Sequence, residues 1–356
     1  MSQTAAQPGS PADGLTEALL PRRPLLAWLG GHLPVGPELV VTRISTGHSN
    51  EMFRLEMPGQ VWLLRRPPRT ANAPGAHSMA REFRVLRALR GSGVPHPEAL
   101  VHCEDPEVVG APFLVLSFVT GFAPTLPLPA PFTGDVAGQR EMAGALVDAL
   151  AAVARFDWRP AGLDGFGRPD GFLDRQVDRW LGQLARYRTR DLPWLDELSG
   201  WLRARQPARP VTGLLHGDYT WSNVMFAPDR PGRVAAVVDW EQSTVGDPLL
   251  DLGQLTGLWY EQGEDAGGRD PRALFCQLPG NLTRRELVER YARASGLPVD
   301  DIAFYQALAL FKLACILEGG WARFRAGASD DPGHRNFERR VPALLARAAT
   351  FAGLRA

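Results

Sequence analysis

The hydrophobic pattern of this chain changes character near residue 121, and that change most limits the folds open to it. Before it, residues 38–66 form short β-forming runs, separated by the small polar stretch STGHSN and by a Pro-Gly turn. After it, a proline-rich connector precedes long helical patterns such as REMAGALVDALAAVARF. The pattern predicts an α+β chain with a small β-rich lobe joined near residues 117–121 to a larger helical lobe. Such a layout favours a ligand in a cleft between the lobes.

Composition limits the partners and the compartment. The 356 residues carry 39 basic and 39 acidic side chains, so nothing in the charge balance indicates a nucleic-acid or membrane-surface partner. Three scattered cysteines and a polar N-terminus without an apolar core are typical of a reduced, cytoplasmic protein. The most apolar segment, residues 302–317, is interrupted by Lys312, the only lysine, and it predicts a buried helix rather than a membrane span.

Polar residues cluster within two otherwise apolar stretches, LLHGDYTWSNVMF and AAVVDWE. The first contains His216, Asp218 and Asn223, and the second places Asp239 at the end of an apolar strand. This order around a short hairpin is typical of phosphoryl transfer, in which one carboxylate accepts the proton of the attacking hydroxyl. An amide oxygen and a second carboxylate are hard donors that suit Mg²⁺. The pattern predicts Asp218 as the base and Asn223 and Asp239 as metal ligands.

Two other interpretations of the same residues stay open at this point. His216 and Asp218 could simply stabilise a buried turn, with Asp239 acting as a cap. Alternatively, His216, Asp218 and Asp239 could bind the metal of a hydrolase, although such sites usually recruit several histidines.

A phosphoryl-transfer site also requires a place for ATP in the first lobe. Gly47, in the turn between two strands, allows close approach of the backbone to phosphate, and Ser49 offers a hydroxyl and an N–H group. A cation on the third strand is expected to contact the α- and β-phosphates. We expect Arg65 to supply it, with Arg66 as the alternative, and Glu82 in the following helix to hold it. A surface Arg-Glu pair is the simpler explanation of the last two residues.

Together these stretches resemble the aminoglycoside phosphotransferase-like family, relatives of the protein kinases. The resemblance rests on LLRRPP, REFRVLRAL, VPHP, LLHGDYTWSNVMF and VVDWEQSTVGDPLLDLG, in family order over residues 40–322. It is closest to the branch related to the N-terminal domain of acyl-CoA dehydrogenase family members 10 and 11. It implies a bilobal protein-kinase-like fold with ATP and Mg²⁺ as cofactors. We expect a disordered tail over residues 1–20, a nucleotide-binding lobe over 21–118, and a catalytic and substrate lobe over 119–356.

The resemblance also implies roles for single residues. Asp218 is the expected base, Asn223 and Asp239 are the expected Mg²⁺ ligands, and His216 orients the loop. Asp247 and Asp251, in GDPLLDLG, match positions that support the site.

The acceptor is the least determined feature. The resemblance implies a small-molecule hydroxyl, of hydroxyacyl type for this branch, and Trp221, Trp259 and Tyr260 are candidates for the pocket wall. An antibiotic acceptor is the alternative, because the locally acidic stretch over residues 259–270 could attract a polycation. That stretch could equally be a solvated acidic loop. A nucleotide-binding module without catalysis is the alternative of a different class.

Overall fold

The computed structural model describes residues 11–44, 50–68, 78–264, 275–329 and 331–354. The chain divides into two compact units. The smaller unit comprises Met1–Arg90 and Pro97–Val119, and the larger unit comprises Gly91–His96 and Thr120–Ala356.

The smaller unit is built on one antiparallel sheet. Its strands are β1 Val40–Arg43, β2 Glu51–Met57, β3 Gln60–Arg66, β4 Ala99–Cys103 and β5 Phe113–Ser117. They lie in the order β1-β2-β3-β5-β4. Its helices are α1 Pro11–Leu19, α2 Arg22–Leu29, α3 Met79–Ala88 and α4 Pro106–Val109. The short β-forming runs predicted over residues 38–66 correspond to β1, β2 and β3.

The expected disordered tail over residues 1–20 is wrong in its second half. Pro11–Leu19 is helical, and Leu19 and Leu20 are each only 2% exposed. Both side chains belong to the hydrophobic core of the sheet, together with Phe53 and Phe113. Burial of this apolar surface stabilises the segment against the sheet.

The larger unit is mainly helical. Its helices are α5 Val136–Ala154, α6 Gln176–Leu184, α7 Leu195–Ala204, α8 Leu249–Gly257, α9 Arg284–Ser295, α10 Ile302–Arg325 and α11 Phe337–Phe351. Its strands are β6 Gly213–Leu215, β7 Val224–Phe226, β8 Val234–Val237 and β9 Thr244–Gly246. They form two small antiparallel pairs, β6 with β9 and β7 with β8. The short hairpin predicted between Asn223 and Asp239 corresponds to β7 and β8.

The predicted buried helix is confirmed as α10. It is long and apolar enough to cross a membrane by composition alone, but 72% of its apolar window is buried within the structure. It packs against α8 and α11, and it carries Lys312 into the interior at 7% exposure. The three cysteines are also buried and unbridged.

Candidate active site

Short strands in the larger unit bring the predicted polar residues together. Strand β6 leads directly into His216, and β7 pairs with β8 so that the Val238 N–H donates to the Asn223 carbonyl at 2.9 Å. Asp239 is the next residue after Val238. The hairpin therefore places the amide of Asn223 beside the chain that carries Asp239, as the spacing predicted.

Asp218, Asn223 and Asp239 line one cavity of about 370 Å³. All three side chains are half-buried. Residues from α8, α10 and α11 also line it, including Gln254 and Lys312. A polar cluster that opens into a cavity is better suited to binding a ligand than to stabilising a buried turn.

Side chains, rather than a regular strand ladder, hold the backbone from His216 to Asp218. The Asp251 carboxylate accepts the N–H groups of His216 at 2.6 Å and of Gly217 at 2.9 Å. The Lys312 ammonium donates to the Gly217 carbonyl at 2.5 Å. The Asn223 amide donates to the Asp218 carbonyl at 2.9 Å. This part of the loop is therefore fixed by groups from helices α8 and α10 and from its own far end.

His216 is completely buried, and both of its ring nitrogens are engaged. Its Nε2 lies 2.9 Å from the Val238 carbonyl, which can only accept, so Nε2 carries the proton. Its Nδ1 then accepts the Asp218 N–H at 3.3 Å. These contacts leave no nitrogen for a metal, so the metallohydrolase interpretation is wrong. The His216 ring thus connects the backbone at Val238 to the backbone at Asp218.

The Asp218 carboxylate is held by two amide groups. Gln254 Nε2 donates to Oδ1 at 2.7 Å, and Asn223 Nδ2 lies 3.3 Å from Oδ2. Gln254 is a site residue that the sequence analysis missed. It lies one helical turn after Asp251 on α8, so the two residues share a face of that helix. That spacing was the available signal.

Burial governs the charges around the loop. Desolvation raises the pKa of the Asp251 carboxyl, and the charge of Lys312 and the backbone N–H groups of His216 and Gly217 oppose this effect. Desolvation also lowers the pKa of the Lys312 ammonium, while Asp218 and Asp251 counteract it. Opposite charges in a low dielectric compensate one another's burial.

Asp247 supports the site from further away. Its carboxylate accepts the Tyr305 hydroxyl at 2.7 Å and the N–H groups of Val211 and Leu249, each at 3.1 Å. Burial raises the pKa of this carboxyl. Asp247 thus connects α10 to the start of α8 and to the chain before β6.

Asp239 has an unusual backbone conformation. Its φ of 69° lies in the left-handed region, which non-glycine residues rarely adopt and which often marks functional sites. Asp239 and Asn223 line the same cavity, and the carboxylate of the first and the amide oxygen of the second are hard oxygen donors. Since the Asn223 nitrogen already bonds Asp218, its oxygen is the atom suited to a cation. The pair fits Mg²⁺, which needs few protein ligands when phosphates supply the others.

In the smaller unit, the structure distinguishes the two candidate arginines. Arg65 Nη1 donates to Glu82 Oε1 at 2.5 Å, and these side chains are 7% and 1% exposed. The surface-pair explanation is therefore wrong. Arg66 instead donates to the carbonyls of Leu19 and Val109, which end α1 and α4. Gly47 and Ser49, the other expected ATP contacts, lie outside the described residues.

The three aromatic candidates for the acceptor wall have different positions. Trp221 and Tyr260 line the cavity. Trp259 is fully buried and is absent from the lining among the described residues, so it does not meet a substrate there. Its ring packs edge-to-face on Trp221 with centroids 5.8 Å apart, and its Nε1 donates to the Leu282 carbonyl at 2.8 Å. Trp259 therefore supports Trp221 from behind.

The acidic stretch is neutralised where the structure describes it. Glu264 accepts Arg284 at 2.6 Å, and Glu261 pairs with the same guanidinium at 3.1 Å. Arg347 donates to the carbonyls of Gly257 and Trp259 and lies 4.0 Å over the Tyr260 ring. These contacts fix the segment after α8 in place. Asp265 and Asp270 lie outside the described residues.

Known proteins share this architecture. A family model described as the phosphotransferase enzyme family matches residues 40–308. A solved Ralstonia eutropha structure, provisionally assigned as an aminoglycoside phosphotransferase, has 30% identity and a TM-score of 0.78. The match covers 93% of this chain and 98% of that structure. A solved aminoglycoside phosphotransferase in ternary complex with AMP-PNP and hygromycin B has 17% identity and a TM-score of 0.55. That match covers 92% of this chain and 98% of the other, and it shows the fold alone. The predicted bilobal, protein-kinase-like fold class is confirmed.

Among curated proteins, acyl-CoA dehydrogenase family member 11 of Gallus gallus is 34% identical over 313 residues. The match covers 86% of this chain and 39% of that relative. The mouse acyl-CoA dehydrogenase family member 10 is 32% identical over 307 residues, covering 84% of this chain and 28% of that protein. The chain thus spans well under half the length of these relatives.

Proposed function

The chain belongs to the phosphotransferase enzyme family, and we propose that it transfers the γ-phosphate of MgATP to the hydroxyl of a small molecule. One observation carries the proposal. Asp218, Asn223 and Asp239 line a single cavity, and Asp218 is held there by two amide groups. A fixed carboxylate beside two hard oxygen donors is the arrangement that in-line phosphoryl transfer requires.

In the proposed reaction, the acceptor hydroxyl binds beside Asp218. As its oxygen forms a bond to the γ-phosphorus, the bond from that phosphorus to the leaving ADP oxygen breaks, and Asp218 accepts the hydroxyl proton. Gln254 and Asn223 restrict rotation of the carboxylate and so orient the attacking oxygen. Asn223 and Asp239 would hold Mg²⁺, whose charge neutralises the phosphate oxygens.

Arg65 is our proposed contact for the α- and β-phosphates. Its buried pairing with Glu82 fixes the guanidinium, and a guanidinium can bind two phosphate oxygens at once. Nucleotide use is supported by the family and by the AMP-PNP bound in the solved aminoglycoside phosphotransferase complex. In this proposal, an arginine takes the position where kinases use a lysine.

For the acceptor we propose a hydroxyacyl-type compound. One wall of the cavity is apolar and is formed by Leu258, Leu313, Ile316, Leu317 and Phe337. Lys312 and Arg340 are also in the lining, so two cations accompany the two carboxylates of Asp218 and Asp239. An apolar wall in a lining whose acidic and basic side chains are equal in number suits an acyl chain better than a polycation. The relatives named acyl-CoA dehydrogenases support the same class.

An aminoglycoside acceptor is the alternative that the names of the solved neighbours support. The described part of the acidic stretch argues against it, because Glu261 and Glu264 are already paired with Arg284. A polycation would have to displace these arginine contacts to bind there.

An acceptor panel tests the proposal. Purified protein with MgATP is offered hydroxy acids, their CoA thioesters, amino alcohols and aminoglycosides, and the phosphorylated products are identified by mass. We expect turnover with the hydroxyacyl compounds. Turnover confined to aminoglycosides would overturn the acceptor class but not the transferase. Tight MgATP binding without any product would contradict phosphotransfer and favour a non-catalytic nucleotide-binding module.

A further inference from the structure

Lys312 is the only lysine in a chain that otherwise uses arginine for its cations. It lies in the middle of α10, the most apolar segment, and its side chain is only 7% exposed. Placing an ammonium in such a helix is unfavourable unless other groups compensate its charge. Its position therefore requires an explanation that the family motifs do not supply.

The contacts of Lys312 converge on the loop that carries the proposed base. Its Nζ donates to the Gly217 carbonyl at 2.5 Å, and Gly217 immediately precedes Asp218. On the same turn, Asp251 accepts the N–H groups of His216 and Gly217. The ammonium on α10 thus binds a carbonyl of this short backbone segment, and the carboxylate on α8 binds its N–H groups.

Lys312 also faces the reaction space. It lines the cavity together with Asp218 and Gln254. Two other groups lie near it. The positive charge of Arg179 repels the ammonium, and the centroid of the Trp180 ring lies 5.9 Å from Nζ. Asp218 and Asp251 are the anions that offset its burial. Its ammonium is thus balanced by the proposed base and by the carboxylate that supports the loop.

The geometry points to Lys312 as a positioning residue for phosphotransfer. It fixes the peptide that precedes Asp218 and supplies the positive charge that balances Asp218 and Asp251. This inference rests on the proposed function. Shape alone would not satisfy the role, because the Gly217 carbonyl needs a donor and the two carboxylates need a cation.

Three variants separate this role from simple packing. Lys312→Met keeps the length of the side chain and removes the donor and the charge. Lys312→Arg keeps both. Gln306→Met is the matched control, since Gln306 is another buried polar residue of α10 that faces α8, where its amide donates to Thr256 Oγ1 at 3.0 Å.

We expect Lys312→Met to lower kcat about 100-fold while the KM for ATP stays within about threefold of wild type. Lys312→Arg should recover at least about a tenth of the wild-type kcat. Gln306→Met should lower the melting temperature and leave kcat near wild type. A Lys312→Met enzyme with wild-type kcat, or one whose loss is matched by Gln306→Met, would overturn the inference.

A spectroscopic measurement keeps the test independent of turnover and of the stability of the Lys312 variants. Because the chain has a single lysine, protein grown with lysine labelled at ¹⁵Nζ and ¹³Cε gives one side-chain signal. We expect this signal to shift in Asp218→Asn and to stay in place in Gln306→Met. An unchanged signal in Asp218→Asn would contradict the coupling. If the signal shifts but no acceptor is phosphorylated, the proposed function fails while the coupling stands.

Discussion

Replacing Gly217 by alanine tests whether the geometry of this turn determines activity. Gly217 has a φ of +83°, and a Cβ added there would lie 2.3 Å from the Gln242 carbonyl oxygen. Real Cβ atoms essentially never come closer than 3.0 Å, so the turn must move by at least the 0.7 Å difference. The atom in the way belongs to the backbone, and no side-chain rotation can relieve the contact.

The structure gives magnitudes for both stability and rate. A left-handed alanine costs about 1–2 kcal/mol, and overpacking a well-packed site adds about 1–3 kcal/mol. We therefore expect Gly217→Ala to lose about 2–5 kcal/mol of unfolding free energy. Because Asp218 is the next residue, the displacement also moves its carboxylate. A misplacement of this size lowers kcat by roughly 30- to 100-fold.

Two other glycines of the larger unit separate these effects. Gly200 lies exposed within α7 with nothing within 4 Å of an added Cβ. Gly200→Ala should therefore stabilise the protein by about 0.5–1 kcal/mol. Gly296 has a φ of +73° and equally open space, so Gly296→Ala should show the conformational cost of about 1–2 kcal/mol alone.

The assay is urea unfolding and steady-state kinetics on the three variants in parallel. Both control variants should keep wild-type kcat. If Gly217→Ala lost no more stability than Gly296→Ala and kept its kcat, the contact with Gln242 and the displacement of Asp218 would both be refuted.

Three further changes give separate expectations. Gln254→Leu removes the donor to Asp218 Oδ1, so kcat should fall about tenfold with little change in the KM for ATP. An unchanged kcat would show that this hydrogen bond is dispensable. Arg65→Met should raise the KM for ATP by about tenfold or more, while Arg65→Lys should keep it nearer the wild-type value. If Arg65→Met and wild type had equal KM values for ATP, the phosphate contact would be contradicted. Bonds from Thr283 and Arg140 lower the pKa of Glu286 to about 2, below its ordinary 4.5. The stability that this carboxylate adds is therefore complete above pH 4.5 and is lost as the pH falls toward 2. In urea unfolding at neutral pH, Glu286→Gln should have a lower free energy of unfolding than wild type. The difference should be under about 1 kcal/mol because the side chain is partly exposed, and it should disappear as the pH is lowered.

The local patterns in the sequence predicted much of the fold. Alternating residues marked β2 and β3, and the apolar run ending before Asp239 marked β8, because strand periodicity is a property of adjacent residues. The polar loop was also predictable, since His216, Asp218 and Asn223 lie within eight consecutive positions. The second half of the expected disordered tail was wrong because the apolar Leu19 and Leu20 are covered only by a sheet formed later in the chain.

Residues that act on the loop from distant segments could not be assigned. Lys312 is separated from its partner Gly217 by 95 positions, and no local pattern connects them. Gln254 can be predicted as a site residue, from its spacing of one helical turn, only once Asp251 is known to face the loop. Trp259 and Trp221 are equivalent as sequence features, and only the packing distinguishes the one that lines the cavity from the one behind it.

Whether this cavity is the site of phosphotransfer is tested most directly by comparing wild-type protein with Asp218→Asn. Transfer of the γ-phosphate from MgATP to a hydroxyacyl acceptor is monitored by ³¹P NMR. The wild type should convert the γ-phosphate into a phosphomonoester of the acceptor. Asp218→Asn should bind MgATP with near wild-type affinity and form at least about 1,000-fold less product per unit time, since it cannot accept the proton or orient the hydroxyl. Product formation by Asp218→Asn at the wild-type rate would contradict the assignment of this cavity as the site of phosphotransfer.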